Sequence, residues 1–240
     1  MTDSTTTFSV RLQSNAVVED QGWATASLDL LRSASPWRTF RWYRGQRHFS
    51  GSYWSTTTQK HVIYESRLEL SRLVYADFDP AVLGIVAQPF LLKAVLEGKV
   101  RRHIPDYLLI TENGPVVVDV KPHHRLLDPV VACTFEWTRQ AVEARRWRHE
   151  VWSEAREAEL ANLLFLAGFR RGWLFAPDLL DAVRSADLDG VPIGEAVRCV
   201  LPRQAEARVR AAIYHLLWRH ELTTDLSEPL RPAGLLRGRV

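Results

Sequence analysis

The dipeptide Asn113-Gly114 stands between two β-rich runs, VRRHIPDYLLIT and VVVDVK, and constrains the chain more than any other local feature. A tight two-residue hairpin turn needs positive φ at both central residues, which Asn and Gly tolerate. With this pair as the loop, Asp106 lies across from Lys121 and Asp119 lies across from Leu108. Side chains alternate along a strand, so Asp106, Asp119 and Lys121 all project from one face. Widening the loop symmetrically around Pro115 keeps that pairing, whereas a one-residue slip scatters the cluster.

Two carboxylates held a few ångströms apart repel unless a cation neutralises them, and oxygen donors suit Mg²⁺ or Mn²⁺. A neighbouring lysine can position a water or offset charge developing on a phosphate. Metal, acids and lysine together make a hydrolytic phosphodiester site. The plainer reading of the same residues is a surface hairpin with an Asp–Lys cross-strand pair, worth roughly 0.2–1 kcal/mol.

Around the hairpin the patterning divides the chain. Residues 1–35 are polar and weakly patterned, which predicts a mobile or loosely docked arm. Residues 36–64 alternate short β segments with turn signals such as Ser50-Gly51-Ser52. ESRLELSRLVYADF reads as a helix stopped by Asp79-Pro80, and VLGIVAQPFLLKAVLEG as a strand-like run. From residue 130 the character is helical, through FEWTRQAVEARRWRHEVW and EAREAELANLLFLAGF. Gly168 and Gly172 flank a bend that reads as a candidate domain boundary, and the domains are placed as a core over 36–158 and a second over 159–240. Three helices and a terminal β-ribbon in the second give the layout of a winged helix.

Several classes drop out. No apolar run approaches the ~20 residues of a membrane span. The start, MTDSTTTFSV, lacks a basic segment followed by an apolar one, so a secretory signal is not expected and the chain reads as cytoplasmic. Cys133 and Cys199 sit in no CxxC pair and read as reduced core cysteines. His103, His123 and His124 flank the hairpin, but no HxxxH or Cys/His set supports zinc.

The charge balance is +3, a modest excess carried by 27 Arg against 4 Lys. Arg enrichment alone does not signal nucleic acid, but the scarcity of lysine makes Lys121 conspicuous. From Leu30 to Tyr64 there is no acid, while aromatics such as Trp37, Trp42 and Trp54 interleave with cations. Arg38, Arg41, Arg44, Arg47 and Lys60 are therefore candidate DNA contacts; a half-buried aromatic sheet is the alternative. In AEARVRAAIYHLLWRH, Val209, Ile213, Leu216 and Leu217 form a core stripe and leave Arg208, Arg210 and Arg219 outside. Nearby acids tilt that helix towards a protein partner rather than DNA.

Pro105-Asp106 and Asp119-Val120-Lys121 resemble the PD-(D/E)xK motif of restriction-like nucleases. Upstream, ESRLELSRLVYADFDPAVLGIVAQPF is similar to the segment carrying the helix glutamate in the TnsA-like endonuclease subunits of heteromeric transposases. The similarity covers residues 36–155, with a weaker C-terminal winged-helix part. It implies an α/β fold: a restriction-endonuclease-like mixed sheet flanked by helices, with a C-terminal winged-helix-like domain. It further implies Mg²⁺, with Mn²⁺ able to substitute, held by Glu69, Asp106 and Asp119, with Lys121 completing the catalytic set. Glu65, one helical turn before Glu69, stays in reserve, and Gln88 is placed to back the site. The implied activity is cleavage at the 5′ ends of a transposon in double-stranded DNA. The implied partners are a DDE-type transposase subunit and an AAA ATPase regulator. Two alternatives remain: a non-catalytic DNA-binding adaptor on a nuclease-like scaffold, or an orphan restriction-like nuclease.

Overall fold

The computed structural model describes residues 6–38, 49–200 and 206–238. The chain divides into two compact units, Met1–Glu154 and Ala155–Val240. The first unit opens with β1 (Thr7–Arg11) and β2 (Val17–Gly22), an antiparallel pair, followed by the short helix α1 (Leu28–Arg32). Phe8, Val10, Trp23 and Leu31 from this stretch are buried in the core. Trp23 Nε1 donates to the Ala141 carbonyl at 2.7 Å, and the Arg145 guanidinium lies over the Trp23 and Trp147 rings. The expected arm over 1–35 is thus corrected: from Thr7 onward it is part of the first unit. Its few apolar residues alternate inward along β1, so a polar average composition hides a buried face.

Next come the antiparallel hairpin β3 (Gly51–Ser55) and β4 (Lys60–Tyr64), then α2 (Arg67–Phe78). Ser66 caps α2 by accepting from Glu69 N, and the helix ends at Asp79, where Pro80 forbids continuation. The strand-like run after it is two strands, β5 (Val82–Ala87) and β6 (Leu91–Leu96), interrupted at Gln88-Pro89, where Gln88 takes φ 47°. β7 (Lys99–His103) and β8 (Tyr107–Thr111) are likewise separated by Ile104-Pro105-Asp106. β9 (Gly114–Val120), α3 (Pro129–Glu143) and β10 (Arg148–Trp152) complete the unit.

Apart from the separate β3–β4 pair, these strands form two four-stranded sheets, ordered β2-β1-β6-β7 and β10-β9-β8-β5. At Gln88-Pro89 and again at Ile104–Asp106 the chain passes from one sheet to the other. β10 runs parallel to β9, so the second sheet is mixed, and α3 supplies the long crossover a parallel pair needs. The helical reading of RRWRHEVW is therefore corrected. α3 stops at Glu143, Arg146 turns the chain at φ 59°, and the last five residues are strand.

The central hairpin also differs from expectation. Thr111 pairs with Gly114, Leu108 with Val117 and Tyr107 with Val118. A turn on Asn113-Gly114 would be closed by the N–H of residue 115, which proline lacks. The turn instead centres on Glu112-Asn113, with Gly114 at φ 100° closing it and Thr111 Oγ1 accepting from Asn113 N. Leu108 finds a partner two residues away from the expected Asp119. An even displacement preserves alternation, so Asp106, Asp119 and Lys121 keep a common face. A left-handed two-residue turn does occur, at Glu97-Gly98 between β6 and β7.

The second unit holds α4 (Glu157–Leu166), α5 (Pro177–Ser185), α6 (Ile193–Val200), α7 (Glu206–Trp218) and a short ribbon of β11 (Leu222–Thr223) with β12 (Arg237–Gly238). Val209, Ile213, Leu216 and Leu217 of α7 are buried, as the apolar stripe predicts. The division falls after Glu154 rather than after residue 158, and the Gly168–Gly172 bend lies inside the second unit. Cys133 and Cys199 are unpaired but exposed, not core residues. No helix among the described residues is long and apolar enough to cross a membrane.

Candidate functional site

Close to where the strands change sheet, the first unit carries an open polar cleft of about 370 Å³. Arg38, Glu65, Glu69, Arg102, His103, Asp106, Asp119 and Lys121 all line it. The β8–β9 ladder ends at Tyr107–Val118, and Asp106 sits just beyond it. Its N–H still donates to Val118 O at 3.0 Å, while its own Oδ2 accepts from Val120 N at 2.6 Å. A side-chain carboxylate thus takes over from the ladder and is drawn across the end of β9. Asp106 keeps some exposure, yet protein atoms crowd its carboxyl. Burial pushes its pKa well above the ordinary Asp value, the Glu69 and Asp119 charges push further, and the Val120 hydrogen bond and Lys121 only partly offset them.

Asp119 meets the opposite environment. Its side chain is 2% exposed and both oxygens have imidazole partners: Oδ1 with His103 Nε2 at 2.7 Å, Oδ2 with His149 Nε2 at 2.8 Å. Burial alone would raise this carboxyl, but the charge and hydrogen bond of His103, joined by those of His149, leave it below its ordinary value. His103 arrives from the end of β7 in one sheet and His149 from β10 in the other.

The two glutamates of the α2 entry are used differently. Glu69 closes a variant of the capping box: its Oε2 accepts from Glu65 N, one residue before the Ser66 cap, at 2.7 Å and its Oε1 from Ser66 Oγ at 2.9 Å. Burial raises the Glu69 pKa, with those two hydrogen bonds acting against it and the Glu65 charge adding to it. Glu65 accepts from Gln88 Nε2 at 3.0 Å and pairs with Arg38 Nη1 at 2.6 Å. Gln88 Oε1 in turn accepts from Arg38 N, and Gln88 N donates to Asp106 O at 2.8 Å. Gln88 therefore ties Arg38, Glu65 and the Asp106 backbone together. The Glu69 charge is prominent among those acting on Asp106, whereas Glu65 is engaged by Arg38 and Gln88. Tyr107, buried beneath, donates to the Ile63 and Glu69 carbonyls and fixes the start of α2 over β8.

Lys121 is anchored by its backbone, with N donating to Trp152 O and O accepting from Ser153 Oγ. Its ammonium forms no hydrogen bond or ion pair among the described residues and stands in the cleft. His123 and His124 lie on an exposed turn away from the cleft lining. Of the expected DNA contacts, Arg38 is in the cleft and Lys60 is exposed at the start of β4. Arg41, Arg44 and Arg47 fall outside the described residues.

Sequence reasoning singled out neither His149 nor Arg102. His149 was hidden in a segment of helical composition; the usable signal was the β-like RHEVW following a helix long enough to bring it beside VVVDV.

Among the described residues no three His, Cys, Asp or Glu side chains stand in an arrangement that could hold a metal ion. The cleft acids present carboxylate oxygens, the donor type a hard divalent cation takes, and beyond burial the Glu69 and Asp119 charges act on Asp106. Each Asp119 oxygen also retains a lone pair beyond its imidazole bond. Comparison with known protein families finds no family model that matches the chain, and comparison with curated proteins finds no match.

Proposed function

We propose that the cleft is the active site of a metal-dependent DNA endonuclease, with Glu69, Asp106 and Asp119 as the metal-facing acids and Lys121 as the catalytic lysine. The observation that carries this reading is Asp106, a carboxyl crowded by two other acids with a single hydrogen bond to relieve it. A bound Mg²⁺ would supply charge neutralisation and Lewis acidity at a phosphodiester. The chain's own residues do the rest. The two imidazoles hold Asp119 in one orientation, as partners of ligating carboxylates do. Lys121, unpaired, positions a water and offsets charge developing on the phosphate. Arg38 and Arg102 flank the cleft and can meet phosphate oxygens.

The resemblance to TnsA-like subunits makes the substrate a transposon end in double-stranded DNA, cut at its 5′ side. It makes the partners a DDE-type transposase subunit and an AAA ATPase regulator. A restriction-endonuclease-like fold for the first unit and a winged-helix-like one for the second belong to the same proposal. In its support, the first unit has a mixed sheet with helices, and the second has helices followed by a short ribbon.

The test is Mg²⁺-dependent nicking of plasmid DNA carrying the element's ends, together with Mn²⁺ binding followed by titration calorimetry. Asp106→Asn is expected to lower nicking by about 10³-fold or more and to weaken Mn²⁺ binding. Nicking that survives the substitution overturns the site.

A further inference from the structure

We infer that the β6–β7 hairpin is a DNA-backbone-binding element, with Lys99 and Arg101 of β7 making phosphate contacts that lead into the cleft. This rests on the reading of the cleft as a DNA-cutting site and names the surface that delivers the substrate. β7 is the edge strand of its sheet, and Lys99, Arg101 and Arg102 are all exposed. None of their three side chains forms a hydrogen bond or ion pair among the described residues. The neighbouring strand shows the contrast: Lys93 is held by Asp20 at 2.7 Å.

Arg102 lies directly across from Lys93, and like charges at opposed positions destabilise a sheet unless something neutralises them. Asp20 does so for Lys93 alone. Glu97, in the turn, is the only acid between Leu91 and His103. Alternation sets Lys99, Arg101 and His103 on one face, successive ones about 7 Å apart, with Arg102 on the other; at the strand's end both His103 and Arg102 line the cleft. Two residues after Arg101, His103 bonds Asp119. A polyanion bound along β7 therefore ends at the cleft acids. A duplex backbone matches this row of unpaired cations, and Val95 with Val100, also exposed, completes the hairpin's outer tip.

Cations on an edge strand also deter sheet-to-sheet aggregation, a role that predicts no ligand. The experiment measures binding of a labelled DNA duplex by fluorescence anisotropy across a salt series, using the full chain carrying Asp106→Asn so that no cleavage occurs. Adding Lys99→Ala and Arg101→Ala is expected to weaken binding on the order of tenfold and to reduce the log–log salt slope by about 2. The charge-keeping pair Lys99→Arg and Arg101→Lys is expected to bind as the parent does. An unchanged slope in the alanine pair overturns the inference, as does equal loss in both pairs. So does retention by phosphatidylserine vesicles in place of DNA. Failure of the hairpin leaves Asp106-dependent nicking in place; loss of the nuclease reading shows instead as no nicking by a wild type whose duplex binding still needs Lys99 and Arg101.

Discussion

Asp77 and Asp106 are both acids sunk into the first unit, and their surroundings could hardly differ more. Asp77, on α2, is 6% exposed and accepts from Tyr53 Oη, Ser55 Oγ, Thr56 N, Thr56 Oγ1 and Thr57 N. It clamps the β3–β4 turn onto the helix, and every charge it buries is answered by a donor. Among the described residues the Asp106 carboxyl has one such donor, Val120 N, and two acids act on it against a single Lys121. A carboxylate surrounded by donors is a structural tie, while one crowded by carboxylates is left with charge that its few partners only partly answer. Asp119 stands between these cases, fully partnered but by two imidazoles at the cleft floor.

The sharpest way to break this contrast is to remove the tie. Asp77→Ala takes the shared acceptor from Ser55 Oγ and the Thr57 N–H and leaves the β3–β4 turn without its tie, so we expect a loss of about 3–5 kcal/mol, read as a lower urea midpoint for the first unit. A loss below about 1 kcal/mol would mean that water reaches those donors and that Asp77 is no clamp.

A smaller effect is expected at Asp119. His149→Leu removes one of its two imidazoles and costs about 2–3 kcal/mol at neutral pH, since His103 remains. The folded carboxyl is depressed, so its stabilising share is present above the ordinary Asp value and lost as pH falls through the folded one. Wild type and variant should therefore converge in acid. A gap that persists at the lowest pH would assign His149 a packing role instead.

For Asp106 the sign reverses. A raised folded pKa gives stability that is full below the ordinary Asp value and disappears as pH rises through the folded one. Asparagine keeps the acceptor for Val120 N but carries no charge to bury. With chelator present, Asp106→Asn is expected to be more stable than wild type by about 1–2 kcal/mol near pH 8, the gap closing towards pH 4. Mg²⁺ should close it as well, by stabilising wild type alone. A variant less stable than wild type at every pH would place Asp106 with Asp77.

Much of this cleft was legible in the one-dimensional pattern. Strand alternation put Asp106, Asp119 and Lys121 on one face, and that survived a wrong turn because the displacement was even. The turn itself was misread because the Asn-Gly signal outweighed the missing N–H of Pro115. Breaks at Gln88-Pro89 and Ile104-Pro105 were visible as prolines, but nothing local says that a chain changes sheets there. That change brings His103 onto Asp119. His149 needed a parallel pairing across a 15-residue helix, which no local period records. Asp77 and Asp106 look alike in sequence because the donors that separate them come from a hairpin some twenty residues away.

The smallest effect tests which glutamate belongs to which side of the comparison. Both Glu69 oxygens serve the α2 cap, accepting from Glu65 N and Ser66 Oγ, yet its charge also acts on Asp106. The amide oxygen of Gln can keep the Glu65 N–H while the Ser66 hydroxyl turns to accept from the amide nitrogen, so Glu69→Gln should cost only about 0.5–1 kcal/mol while removing the charge. Glu65→Gln should be as mild, because its pair with the largely exposed Arg38 is a surface one and the new amide oxygen can keep accepting from Gln88 Nε2. With stability nearly equal in both, nicking separates them. Loss confined to Glu69→Gln places Glu69 with Asp106 among the acids that face a cation. Loss confined to Glu65→Gln makes Glu69 a cap and nothing more, on the same side as Asp77.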